Sequence, residues 1–114
     1  MSDEGLEWRS EDRAGVAVVA PIGRVDESTA DDFKEHLVAA ASKGVETLVI
    51  DLSGIAYMSS RGLRGLTLAQ RAGSAAGTTI VLAQPNETMR EILAISRYDM
   101  LFRVADTVEG ALEE

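Results

Sequence analysis

The run ETLVIDLSG, residues 46–54, restricts what this chain can fold into more than any other stretch. Its centre, Leu48-Val49-Ile50, offers no polar side chain to water. A strand with one wet face alternates apolar and polar residues; an unbroken apolar run suits a strand covered on both faces, as in a parallel sheet. A second such run, TTIVLAQ, starts at Thr78, and residues 60–75 between the two carry a helical repeat. Strand, helix, strand in that order is a right-handed crossover unit. The fold class is therefore α/β.

The flanks extend that unit. LEWRS alternates, with Leu6 and Trp8 on one face, which reads as a half-buried or edge strand. GVAVVAPIGRV reads as a second strand. Pro21 interrupts its apolar run and must sit at an edge, a bulge or a strand end. SEDRAG between them suits a hairpin loop. In DESTADDFKEHLVAAASKG, the residues Ala30, Phe33, Leu37 and Ala40/Ala41 recur at helical spacing. Ser28 with Asp31 forms a candidate capping box, Asp26 with Thr29 an alternative cap, and Gly44 the stop. His36 lies beside the apolar stripe and reads as a surface or boundary histidine. Further on, Asn86 is a candidate N-cap for a helix repeating at Met89, Ile92, Leu93 and Ser96. LFRVA reads as a short strand, and DTVEGALEE as a last short helix started by Asp106 or Thr107. The expectation is one domain over 1–114: a mixed sheet of four or five strands with about four helices.

Composition removes several function classes. The net charge of −8 and pI near 4.6 repel nucleic acid and anionic membranes. With no cysteine, disulfides, thiol catalysis and thiolate metal sites are excluded, and one histidine leaves little for a metal cluster. Neither a cofactor nor a resident metal is expected. The polar N-terminus MSDEGLEWRSEDR does not read as a signal peptide, and no apolar run approaches the ~20 residues that span a bilayer. A soluble cytoplasmic protein without membrane insertion is the expectation.

The chemistry concentrates in IDLSGIAYMSSRGLRGL, residues 50–66. Asp51 ends the central strand, and Ser59-Ser60 precede a helix that returns to the sheet. Asp26 follows the second strand and opens the first helix, so all four residues have the sequence order for one rim at the carboxyl ends of strands. A serine there has three uses. It caps the helix by accepting from a free backbone N–H. It acts as a nucleophile, which needs a nearby base that His36 is poorly placed to be. Or it accepts a phosphate, which the helix N-terminus favours and nearby carboxylates oppose. Within helix 60–75, Arg61, Arg64 and Arg71 are spaced to share a face with Leu68. This reads either as a solvated face or as a docking surface with Leu68 at its centre. Gly65 inside the helix costs about 1 kcal/mol relative to alanine, which close packing against the sheet would explain.

VIDLSGIAYMSSRGLRGL resembles the signature of STAS domains, and PIGRVDESTADDFKEHL resembles that family's Gly-x-x-Asp turn and first helix. NETMREILAISRYDMLFRVADTVEGAL resembles its C-terminal half, so the resemblance runs from about Leu6 to Leu112. It implies an anti-sigma factor antagonist of a bacterial partner-switching system, a binding module and not an enzyme. The implied partners are an anti-sigma factor that is also a serine kinase of the histidine-kinase-like (GHKL) ATPase fold, and a PP2C-type phosphatase. A monomer or weak dimer is expected. The family often reads Met-Asp-Ser-Ser-Gly-Leu where this chain reads Met58-Ser59-Ser60-Arg61-Gly62-Leu63. Arg61 thus occupies the usual acceptor position and cannot accept phosphate.

Three expectations follow from that departure. Ser60, or Ser59, is the acceptor and Arg61 pairs with its phosphate. Alternatively, Arg61 pairs with Asp26 or Asp51 and locks one binding state. In the third, the domain is a non-phosphorylated STAS adaptor of a lipid or anion transport complex. Asp26, Asp51, Arg61, Gly62, Arg64 and Leu68 are the expected partner-binding and switch residues.

Overall fold

The computed structural model describes residues 5–13 and 15–112. Its sheet has six strands: β1 (Glu7–Arg13), β2 (Val16–Val25), β3 (Thr47–Asp51), β4 (Ile55–Met58), β5 (Thr79–Ala83) and β6 (Arg103–Ala105). The helices are α1 (Ala30–Ala41), α2 (Ser60–Ala76), α3 (Glu87–Ser96) and α4 (Val108–Leu112), with a 3₁₀ turn at Tyr98–Met100. The main sheet runs β1-β2-β3-β5-β6; β1 is antiparallel to β2 and the other pairings are parallel. A mixed α/β architecture with four helices is what the sequence leads one to expect.

The central strands are buried on both faces, and each face has its own core. Ala17, Val19, Leu48, Ile50, Ile80 and Leu82 join Phe33 and Leu37 of α1, Leu66 of α2, and Met89 and Leu93 of α3. Val18, Val49, Val81, Ala83 and Ala105 face the other way, against Ala111 of α4. Alternation along each strand assigns residues to one core or the other.

The sixth strand, β4, departs from the expected four or five. Ile55 and Met58 face inward while Ala56 and Tyr57 between them are exposed. A register shift opposite Gly23 and Arg24 puts two core residues three apart. Such a bulge hides a strand from any search for period-two alternation. β2 is ten residues long, twice β3. Its first half pairs with β3, through Val19 opposite Ile50, and its second half with β4, from Gly23 opposite Ile55. Pro21 lies inside β2, where the partner changes. The Gly23 N–H bonds Gly54 O, so the N–H that proline lacks would point into this seam.

Several local expectations need correction. β1 runs through SEDR to Arg13, so the expected hairpin loop shrinks to residues 14 and 15; Ala14 lies outside the described residues, and Gly15 has φ +76°. The Ser28–Asp31 capping box does not form. Thr29 is the N-cap of α1, and its hydroxyl reaches back instead, accepting from Asp26 N–H at 3.0 Å and donating to Arg24 O at 2.7 Å. Asn86 and Thr107 do cap α3 and α4, accepting from Met89 N–H at 2.9 Å and Gly110 N–H at 2.8 Å. Gly65 packs on α1 and not on the sheet; a Cβ there would sit 3.3 Å from the Phe33 ring and 3.4 Å from Lys34 Cβ. His36 is exposed and stacks on Trp8 at 4.2 Å. Residues 1–4, 113 and 114, at the ends of the expected N-terminal segment and last helix, lie outside the described residues.

Candidate functional site

The extension of β2 beyond β3 builds the site. β2 and β4 end side by side, Val25 opposite Met58, and Ser59 N–H bonds Val25 O at 2.8 Å. The turn Asp26–Thr29 and the start of α2 are thereby brought together. Gly62 allows the approach: a Cβ there would lie 2.5 Å from Met58 Cγ and 2.6 Å from Val25 Cγ1. No larger residue fits while α2 sits on these strand ends.

The two serines divide their roles. Ser59 is the N-cap in an extended conformation, half-buried, and its hydroxyl accepts from Gly62 N–H at 3.3 Å. This is the capping use weighed from sequence. Ser60 is exposed in the first turn of α2, which carries no acidic side chain. Its hydroxyl has no protein partner among the described residues.

Arg61 pairs with neither aspartate foreseen for it. Its Nη2 donates to Asp31 Oδ1 at 2.9 Å and its Nη1 to Glu27 Oε1 at 3.3 Å. The close α1–α2 packing at Gly65 sets that choice. Arg64 and Arg71 remain exposed and without an ion-pair partner among the described residues. Leu68, half-buried, lines a groove between α1 and α2 with Lys34, Val38 and Ala39. Arg61, Arg64 and Leu68 line one cleft with Asp31 and Lys34 of α1, and Arg71 lies three residues beyond Leu68 on the same helix.

Asp26 shares the rim with the serines. Its Oδ1 accepts from Ser28 N–H at 3.0 Å and from the Ser28 hydroxyl at 2.9 Å, and Arg24 Nε lies 4.0 Å from Oδ2. The Ser28 hydroxyl and N–H, with smaller help from Thr29, hold the Asp26 carboxyl below its ordinary value. Arg24 also stacks over Tyr57, 4.9 Å from the ring centre.

Asp51 does not join them. It has the parity of Val49 and pairs with Ala83, both in the core under α4. Its Oδ1 accepts from Ser53 N–H at 3.0 Å and from Gln84 Nε2 at 3.3 Å, and Gln84 Oε1 accepts from Val108 N–H at the start of α4. The level of Val25 lies six residues along β2 beyond Val19, roughly 20 Å at a strand's rise. Asp51 is a fastening between strand ends and α4, on the opposite face from the serines. Glu27 and Asp31 are the site residues that sequence reasoning missed; only the non-local packing of α1 on α2 singles them out among many surface acids.

The arrangement is a paired strand end, a glycine-seated helix N-terminus and a bare serine hydroxyl beside an arginine. The STAS domain family model matches residues 7–111. The chain belongs to the STAS domain family. This STAS domain is 30% identical over 97 residues to BtrV of Bordetella bronchiseptica, named as an anti-sigma factor antagonist, covering 85% of this chain and 84% of that protein. The crystal structure of an anti-sigma factor antagonist from Mycobacterium paratuberculosis superposes with a TM-score of 0.82, at 26% identity over 98% of this chain and 95% of that one. The Bacillus anti-sigma factor antagonist SpoIIAA aligns with a TM-score of 0.75 in its unphosphorylated form, at 19% identity over 94% of each chain. It also aligns in its phosphorylated form, with a TM-score of 0.66 at 22% identity over 94% of this chain and 97% of that one. At these identities the likeness to SpoIIAA is one of fold. No helix among the described residues of this STAS domain is long and apolar enough to cross a membrane.

Proposed function

We propose that this STAS domain is an anti-sigma factor antagonist whose binding is switched by phosphorylation of Ser60. Its partner in this reading is an anti-sigma factor that is also a GHKL-type serine kinase, and a PP2C-type phosphatase resets it. The relatives named as antagonists support the general function. The observation that carries the switch is the division of labour between the serines: Ser59 Oγ is engaged in capping, while Ser60 Oγ is exposed and unpartnered beside Arg61.

The chemistry needs nothing further from this chain. Ser60 Oγ attacks the γ-phosphorus of the kinase's ATP, the bond from that phosphorus to the β,γ-bridging oxygen breaks, the hydroxyl proton leaves to the kinase's base and ADP departs. The product carries roughly −1.5 to −2 charges at a helix N-terminus whose free N–H groups favour an anion. Arg64, four residues on, lies one turn along the same face and is free to pair with it. Arg61 would have to leave Glu27 and Asp31 to reach the phosphate, and those carboxylates would then face the partner unpaired. Phosphate thus changes the surface charge without requiring the domain to refold.

Purified protein mixed with the kinase tests this. A complex forms with ADP, dissolves on adding ATP, and persists when the antagonist carries Ser60→Ala. Absence of any complex in either nucleotide state would overturn the reading.

A further inference from the structure

The outermost strand, β1, carries a pattern that the serine rim does not use. It pairs with β2 on one side and with no strand among the described residues on the other. Gly15 O accepts from Glu46 N–H at 2.9 Å, at the start of β3. Backbone groups alternate along a strand, so the odd-numbered residues of β2 turn theirs toward β3 and the even-numbered ones toward β1. Glu7, Arg9 and Glu11 stand opposite Ile22, Ala20 and Val18, and therefore bond β2. Trp8, Ser10 and Asp12 turn their N–H and C=O groups to the open edge.

The side chains alternate between the two faces of the sheet. Trp8 faces α1 and stacks on His36, and Ser10 and Asp12, on the same face, are exposed. Arg9 and Glu11 are exposed on the opposite face, where α4 packs against β3, β5 and β6. The middle of the edge is thus open on both faces. An edge strand with unpaired N–H and C=O groups is a template for another strand, and charged side chains guard it. Here the guarding charges, Arg9 and Glu11, have opposite signs and flank Ser10 symmetrically. Such a guard repels many strands but complements its own antiparallel copy.

We propose that β1 is a self-recognition edge whose occupant is a second copy of this chain, the two β1 strands pairing antiparallel about a two-fold axis at Ser10. An axis perpendicular to the sheet keeps each face continuous across the pair, so residues directly opposite one another share parity. With Ser10 opposite Ser10, Arg9 of each copy meets Glu11 of the other. That is a pair without hydrogen bonds between its members, the kind in which cross-strand side chains come closest. Ser10 with Ser10, and Trp8 with Asp12, exchange the open N–H and C=O groups. Sliding the strands by two residues, the smallest step that keeps parity, sets Arg9 against Arg9 or Glu11 against Glu11 at the axis. Charge therefore selects one register. A stable interface needs about 800 Å² per partner, more than a seven-residue strand edge supplies, so the dimer is weak and forms at micromolar concentrations and above. None of these residues belongs to the serine rim, so the pairing stands or falls independently of the Ser60 reading.

Sedimentation equilibrium of the full chain tests this in the wild type, Arg9→Glu, Glu11→Arg, the double variant Arg9→Glu/Glu11→Arg, and Ser10→Pro, with thermal unfolding of each alongside. The wild type is expected to dimerise. Each single reversal sets like charges opposite one another at two places in the dimer and weakens it about tenfold. The double variant recovers the wild-type affinity. An equimolar mixture of the two single variants also associates as tightly as the wild type, because opposite charges meet again. Ser10→Pro removes an N–H that β2 does not use, and abolishes the dimer while the fold is kept. Should Ser10→Pro unfold early, the charge reversals and their mixture decide alone. A wild type that stays monomeric at millimolar concentration would overturn the proposal, as would self-association indifferent to both single reversals. Dimerisation lost in the single variants and not recovered in their mixture would overturn the pairing of Arg9 with Glu11.

Discussion

Asp26 and Asp51 begin from the same local chemistry and end in different roles. Each stands at the carboxyl end of a strand, and each accepts from the backbone N–H two residues on at 3.0 Å, in Ser28 and Ser53. Beyond that turn they diverge. Asp51 is tied by Gln84 to the start of α4, below the core of Val49, Val81 and Ala83. Asp26 orders an exposed turn against the start of α2, with Ser28, Thr29 and Arg24 around it. The first arrangement holds fold elements together; the second shapes a surface. A carboxylate at a strand's end acquires its role from the length of the strand and from the face its parity selects.

Substitutions on the two sides are expected to separate stability from binding. The largest effect belongs to the seat of the rim. Gly62→Ala drives a methyl group into Met58 and Val25, and the expected loss is about 3 kcal/mol in urea unfolding, the upper part of the usual overpacking range. A loss below about 1 kcal/mol would mean that α2 does not sit so close to β2 and β4 in solution.

Next comes the fastening. Gln84→Ala removes the bonds to Asp51 and to Val108 N–H, with an expected cost of about 1–2 kcal/mol and no change in kinase affinity. Weakened kinase binding with stability intact would move Asp51 and Gln84 into the functional site and erase the contrast.

Arg61→Ala should show the reverse. Its pairs with Glu27 and Asp31 are exposed and contribute at most about 1 kcal/mol, so urea unfolding barely shifts. Kinase binding or phosphate transfer should change several-fold, because Glu27 and Asp31 then lose the arginine that pairs them at the start of α2.

The smallest expected effect is in acid. Hydrogen bonds from Ser28 hold the folded Asp26 carboxyl below its ordinary value, so the folded state favours the ionised form. That contribution is complete above the unfolded carboxylate range and fades as pH falls through the lowered value. From about pH 5 to about pH 3, the wild type should therefore lose thermal stability slightly more steeply than Asp26→Asn. Parallel curves would show that the Ser28 bonds do not persist in solution.

How much of this was legible before the structure depends on whether a signal was local. The doubly buried strands, the four helices and the caps at Ser59, Asn86 and Thr107 follow from nearby residues, and the structure contains all of them. Strand β4 was hidden by its bulge, which replaces alternation with a spacing of three. The separation of Asp51 from the serines was half visible, since Asp51 shares parity with Val49. What no local pattern carries is that β2 outruns β3 by six residues, because its partners set its length. The partners of Arg61 were beyond reach for the same reason: Glu27 and Asp31 are brought to it by the packing at Gly65, some 30 residues away in sequence.

The most direct test of the account is phosphate mapping on the peptide spanning Ser53–Arg61 after incubation with the kinase and ATP, in the wild type, Ser59→Ala and Ser60→Ala. Phosphate is expected on Ser60 in the wild type and in Ser59→Ala, and none in this peptide in Ser60→Ala. A kinase that binds the wild type and leaves Ser60 unmodified, or a phosphate that remains after Ser60→Ala, would contradict it.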